Sequence, residues 1–178
     1  TRSILRPFGV FAVIAPFNFP MALSAGPSSA AMLAGNTVVF KGSENCPRTH
    51  QLIAEAFQDA GFPPGVVNYI TNAPADAARV VEAMVAHPAV RRVNFTGSTR
   101  VGKLIALTCA KYLKPVVLEL GGKAPLVLLA DADLDDAVNA AAFGCFANSG
   151  QICMSTERIV VDASIADEFV ARFARKAR

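Results

Sequence analysis

The sequence has no tryptophan, two tyrosines and two histidines, and its four cysteines, Cys46, Cys109, Cys145 and Cys153, form no Cys-x-x-Cys pair. With His50 and His87 as the only imidazoles, the ligand sets of structural zinc sites are missing and no metal is expected. Charge is also scarce. The formal net charge of +3 comes from scattered residues such as Arg91, Arg92, Arg100 and Lys103. There is no basic run and no interleaving of aromatic with basic residues, so nucleic acid is not an expected partner. From Pro7 to Phe40 no residue is charged, yet Pro16, Asn18, Pro20, Gly26, Pro27, Gly35 and Asn36 interrupt the segment. No unbroken apolar run of ~18 to 20 residues survives, which argues against a membrane span. The opening TRSILRPFG lacks the order of charged, apolar and small-residue regions found in signal peptides. A cytoplasmic location with reduced thiols is the expectation, so each cysteine serves either packing or chemistry.

What the chain does contain is apolar residues, 53% of the total, with a mean hydropathy of +0.39, enough to build a real core. Short β-branched runs at 9–15, 36–41, 66–70, 90–95 and 115–120 alternate with segments of helical period at 20–34, 48–60, 75–86 and 99–112. That alternation predicts an open α/β fold, a parallel doubly wound (Rossmann-like) sheet with both faces covered. The plan changes after Gly121 and Gly122. PLVLL (125–129) follows almost at once, then a helix over 133–147 opened by Asp133, the strand TERIVV, and an amphipathic helix from about 164. A domain boundary is expected there. The end of the chain inside that last helix suggests a fragment.

In such sheets, ligands sit beyond the carboxyl ends of the strands. FTGSTRVG (95–102) offers Gly97, with no Cβ, and Ser98 at a helix N-terminus suited to phosphate, or merely a turn and a cap. Its spacing is not the GxGxxG fingerprint. Lys41 and Glu44 emerge where NTVVFK ends, as a clamp for ribose hydroxyls or as a solvated pair. Glu119, among apolar residues in PVVLELGGKAPL, reads as a buried carboxylate with a raised pKa, fit for a general base, or as a salt-bridge partner of Lys123. Asn18, between Phe17 and Phe19, is a rigidly placed amide that suits an oxyanion, or simply satisfies a loop. Cys153 follows a small polar segment that exposes it in a turn, although no neighbouring base activates it.

APFNFP, FKGSE, FTGSTRVG, LELGGK and GQICMSTER, with Cys153 lying 34 residues after Glu119, resemble the aldehyde dehydrogenase superfamily in order and spacing over the whole chain. The resemblance implies an NAD(P)-dependent oxidoreductase. Cys153 attacks the aldehyde, Asn18 and the Cys153 N–H hold the oxyanion, and Glu119 activates the water that releases a free acid. Lys41 and Glu44 hold the adenosine ribose, Gly97 and Ser98 the pyrophosphate, and Phe17 and Leu120 complete the cofactor site. NAD is favoured because Glu44 repels a 2'-phosphate, although Lys41 tolerates one and NADP stays possible. Phe17 stands where the family commonly has Trp and Gly42 where it commonly has Pro, changes expected to loosen the cofactor pocket.

Residues 1–7 would be the end of an oligomerisation arm, 8–120 part of the NAD(P)-binding domain and 121–178 the first part of the catalytic domain. MSTERIVV, ITNAPADAARVVE and HPAVRRVNFTGSTRVGK resemble bacterial vanillin and salicylaldehyde dehydrogenases, which implies an aromatic aldehyde. Semialdehyde or aliphatic substrates are the alternative. Family members are considerably longer, so a piece of a homodimer or homotetramer, inactive by itself, is expected. Two other readings stay open: a non-catalytic nucleotide-binding module, and a cysteine hydrolase using His50 or His87.

Overall fold

The computed structural model describes residues 6–178, so residues 1–5 of the expected arm lie outside the described residues. In the first unit, Thr1–Leu120, five strands form one parallel sheet: β1 (Val10–Ile14), β2 (Thr37–Lys41), β3 (Val67–Ile70), β4 (Val90–Gly97) and β5 (Val116–Leu120). Their order across the sheet is β3-β2-β1-β4-β5. The chain winds outward from β1 to β3, returns to the other side of β1, and winds outward again. This reversal between β1 and β4 is the topological switch point of a doubly wound sheet.

The connecting helices are α1 (Ala22–Leu33), α2 (Pro47–Asp59), α3 (Ala77–Ala86) and α4 (Thr99–Lys111). A short 3-10 turn over Pro74–Asp76 takes the start of the helix expected from residue 75. Central β1 explains the apolar run met in the sequence, because both of its faces are covered. Ala12 and Ile14 join Met84, Val93, Phe95, Ile105 and Cys109 in one core. Val13 and Ala15 join Ala31, Val38 and Phe40 in the other. Burying a Val or Ile side chain in either contributes roughly 1.5–3 kcal/mol.

Helix starts are written locally. Pro47 occupies the first turn of α2, where its missing N–H costs nothing. The Ser98 hydroxyl accepts from the Val101 N–H at 3.3 Å to cap α4.

The second unit, Gly121–Arg178, pairs β6 (Ala124–Leu128) in parallel with β7 (Thr156–Val161). α5 (Leu134–Phe146) and α6 (Ala166–Lys176) pack with them around Leu128, Ala137, Val138, Ala141 and Phe169. Asp133 caps α5 by accepting from the N–H groups of Asp135 and Asp136 at 2.9 and 3.0 Å. α6 carries Asp167 and Glu168 in its first turn and Arg175 and Lys176 in its last, complementing its dipole.

Candidate active site

The strand register brings four of the sequence motifs to one edge of the first sheet. Ile14 at the end of β1 lies level with Lys41 of β2 and Phe95 of β4. Thr96 and Gly97 of β4 lie level with Glu119 and Leu120 of β5. The loop bearing Phe17 and Asn18, the Lys41–Glu44 turn, Gly97–Ser98 and Glu119–Leu120 therefore all issue from carboxyl ends around the switch point.

Lys41 is 4% exposed. Its ammonium donates to the Gly42 carbonyl at 3.0 Å and pairs with Glu44 at 3.4 Å. A backbone hydrogen bond at Glu44, aided by the Lys41 charge, holds the Glu44 carboxyl below its ordinary range against the opposing effect of burial. An ammonium and an ionised carboxylate are thus presented together at one strand end. At the end of β4, Ser98 spends a lone pair on the Val101 N–H, which leaves its O–H able to donate. Gly102, one turn into α4, lies so close to β5 that a Cβ there would fall 2.6 Å from Leu120 Cδ2. This contact seats the start of α4 against the strand that carries Glu119. Asn18 is half-buried and Phe17 exposed in the loop after β1.

Two expectations need correcting. Among the described residues Glu119 is exposed, not buried, on the uncovered face of β5, whose side chains alternate between cover and solvent. Lys123 forms an ion pair with Glu157. Gly42 leaves no slack either. A Cβ there would fall 2.5 Å from Cγ of His50, whose ring already fills the space.

Cys153 belongs to the second unit and is exposed in the turn before β7. The turn is entered through three consecutive residues with left-handed backbone, Asn148 (φ 51°), Ser149 (φ 58°) and Gly150 (φ 72°). For the two non-glycine residues this is a strained conformation. It is closed by Ser155, which is 4% exposed. The Ser155 N–H donates to the Ile152 carbonyl at 3.0 Å and its hydroxyl to the Gly150 carbonyl at 3.2 Å, spanning Cys153 on both sides. Sequence reading missed Ser155, whose only signal was a small hydroxyl two residues past the thiol.

The histidines do not support a hydrolase. Both ring nitrogens of His50 are engaged, with the Ser24 hydroxyl at 2.9 Å and the Cys46 sulfur at 3.1 Å. His87 Nδ1 accepts from the Ala89 N–H at 3.2 Å. Among the described residues no cluster of His, Cys, Asp or Glu is arranged to hold a metal, and no helix is long and apolar enough to cross a membrane.

The chain is similar to known proteins along its whole length. Vanillin dehydrogenase of Pseudomonas fluorescens is 57% identical over 174 residues, 98% of this chain and 36% of the relative. Salicylaldehyde dehydrogenase of Pseudomonas putida is 50% identical over 178 residues, all of this chain and 37% of the relative. The crystal structure of a salicylaldehyde dehydrogenase from Pseudomonas putida G7 complexed with salicylaldehyde superposes with a TM-score of 0.94 at 52% identity, covering 96% of this chain and 35% of that one. The chain thus spans about a third of the length of these relatives. The aldehyde dehydrogenase family profile matches residues 1–178 throughout, and the chain belongs to that family.

Proposed function

We propose that the protein oxidises an aromatic aldehyde to its carboxylic acid with NAD, with Cys153 as the nucleophile. The observation that carries this reading is the convergence of Asn18, Lys41, Glu44, Gly97, Ser98 and Glu119 at the carboxyl edge of one switch-point sheet. The identity to vanillin and salicylaldehyde dehydrogenases supports the aromatic class.

The residues at this edge fit a dinucleotide. Lys41 and Glu44 offer a donor and an ionised acceptor for the two adenosine ribose hydroxyls, and Ser98 with the start of α4 offers donors to a pyrophosphate. Phe17 and Leu120 supply apolar surface beside them. A 2'-phosphate would meet the Glu44 carboxylate, which favours NAD over NADP. Bound NAD supplies the two-electron oxidant, accepting hydride from the former aldehyde carbon.

The protein's own groups do the rest. The Cys153 thiolate adds to the carbonyl carbon, and the resulting alkoxide is held by the Asn18 amide and the Cys153 N–H until loss of hydride leaves a thioester. Glu119 takes a proton from the water that attacks this thioester, releasing the acid and the free thiol. An exposed carboxylate at a strand end has access to that water. We place this activity in the domain scheme of 8–120 for cofactor and 121–178 for the nucleophile, in a cytoplasmic homodimer or homotetramer.

The test is steady-state and single-turnover kinetics on vanillin, salicylaldehyde, benzaldehyde and an aliphatic series. Cys153→Ser should abolish NADH formation. Glu119→Gln should give one burst of NADH and then accumulate an acyl adduct on the Cys153 peptide. Undiminished turnover in Cys153→Ser would refute the mechanism, and a preference for aliphatic aldehydes or semialdehydes would refute the substrate class.

A further inference from the structure

His50 lies in the first turn of α2 and is fully enclosed, with 0% of its surface exposed. Its ring nitrogens join α1 to the head of α2. Nδ1 is 2.9 Å from the Ser24 hydroxyl on α1, and Nε2 is 3.1 Å from the Cys46 sulfur at the head of α2. On its other side the ring meets Phe40 of β2 edge to face, with centroids 5.2 Å apart.

The contact with Gly42 gives this cluster a functional direction. A Cβ at position 42 would lie 2.5 to 2.7 Å from three carbons of the ring, closer than real Cβ contacts come. The ring and the turn therefore fill one volume jointly: a side chain at 42 and an imidazole at 50 exclude each other. Gly42 is also the residue whose carbonyl receives the Lys41 ammonium, and Glu44 closes the same turn. Any displacement of the ring passes through Gly42 into the Lys41–Glu44 pair.

An apolar side chain would fill the same space. It would leave the Ser24 hydroxyl without the ring and remove the polar link between α1 and the head of α2. We propose that His50 is a positioning residue for the adenosine end of the cofactor, locking the Gly42–Glu44 turn so that Glu44 discriminates between a 2'-hydroxyl and a 2'-phosphate. This rests on the reading of Lys41 and Glu44 as the ribose clamp.

The experiment is calorimetric titration of the protein with ADP-ribose and with its 2'-phosphorylated form, alongside a thermal melt of each variant. Wild type should prefer ADP-ribose. His50→Leu, which keeps bulk and loses every polar contact, should reduce that preference by about tenfold, equivalent to ~1.4 kcal/mol. Gly42→Ala, which displaces the ring by collision, should reduce it similarly. His50→Gln, which retains a polar head, should recover much of it.

A purely structural role predicts something else: both ligands weaken together as the folded fraction falls, and their ratio stays constant. That constant ratio in His50→Leu and Gly42→Ala would overturn the proposal. If His50→Leu does not fold, Gly42→Ala and His50→Gln carry the comparison. Failure of wild type to bind either ligand would show, before any substitution, that the ribose reading itself is wrong, and the positioning role would fall with it.

Discussion

Acidification should destabilise the first unit through His50 in a way that can be isolated from all other titrations. Burial, followed by the Lys41 charge, lowers the pKa of the ring, while the Pro16 carbonyl pulls weakly the other way. The groups facing it are Ser24, Cys46, Phe40 and the Lys41–Glu44 pair, and none offers an anion in direct contact. The native ring is thus neutral where the unfolded one, with a pKa of about 6.5, begins to take up a proton. The unfolded state binds more protons, so stability falls as pH falls below that value and continues to fall until the native ring protonates.

The largest effect between about pH 7 and about pH 5.5 is ~1.3 kcal/mol from this one group, which corresponds to a drop of roughly 3–5 °C in melting temperature for a chain of this size. The assay is urea or thermal unfolding across that range, for wild type and His50→Gln. The two proteins differ only at position 50, so the difference in slope belongs to His50. Identical pH dependence in the two proteins would refute the argument, because it would mean that the ring is solvated or protonated in the native state.

Two further outcomes follow from single contacts. Asp133→Ala removes both cap bonds of α5 and should lower stability by ~1 kcal/mol, measured as a shift in unfolding midpoint without change in slope; no shift would mean that water replaces the cap. With limiting thiol reagent near neutral pH, peptide mapping should find Cys153 modified first, since it is exposed. Cys109, buried with its thiol pKa pushed up by desolvation, should be modified last, and Cys46, raised by burial and by the Glu44 charge, should follow Cys153. Early modification of Cys109 would show that the β4–α4 core opens readily.

Much of the fold was legible because local chemistry and global topology agree here. The strand at 10–14 is a continuous apolar run between Gly9 and Pro16, the strand at 37–41 has the apolar centre Val38–Phe40 and ends before Gly42, and the helix starts at Ser98 and Asp133 carry their own caps. Glu119 was misread for the same kind of reason. The run VVLEL looks like a strand buried on both faces, but face burial depends on which elements pack on it, and among the described residues the face bearing Val117 and Glu119 is exposed. Gly42 was misread because its meaning lies eight residues away, in a ring that no periodicity connects to it.

The sequence by itself determined the elements, their succession and the family, since these depend on residue type, short spacing and pattern. Only the tertiary structure decided the order β3-β2-β1-β4-β5, which gathers four strand ends at one switch point, the exposure of Glu119, and the enclosure of His50 between Ser24, Cys46 and Gly42. Those are consequences of which surfaces meet when the helices cover the sheet, and contact between distant segments leaves no local signature in a single chain.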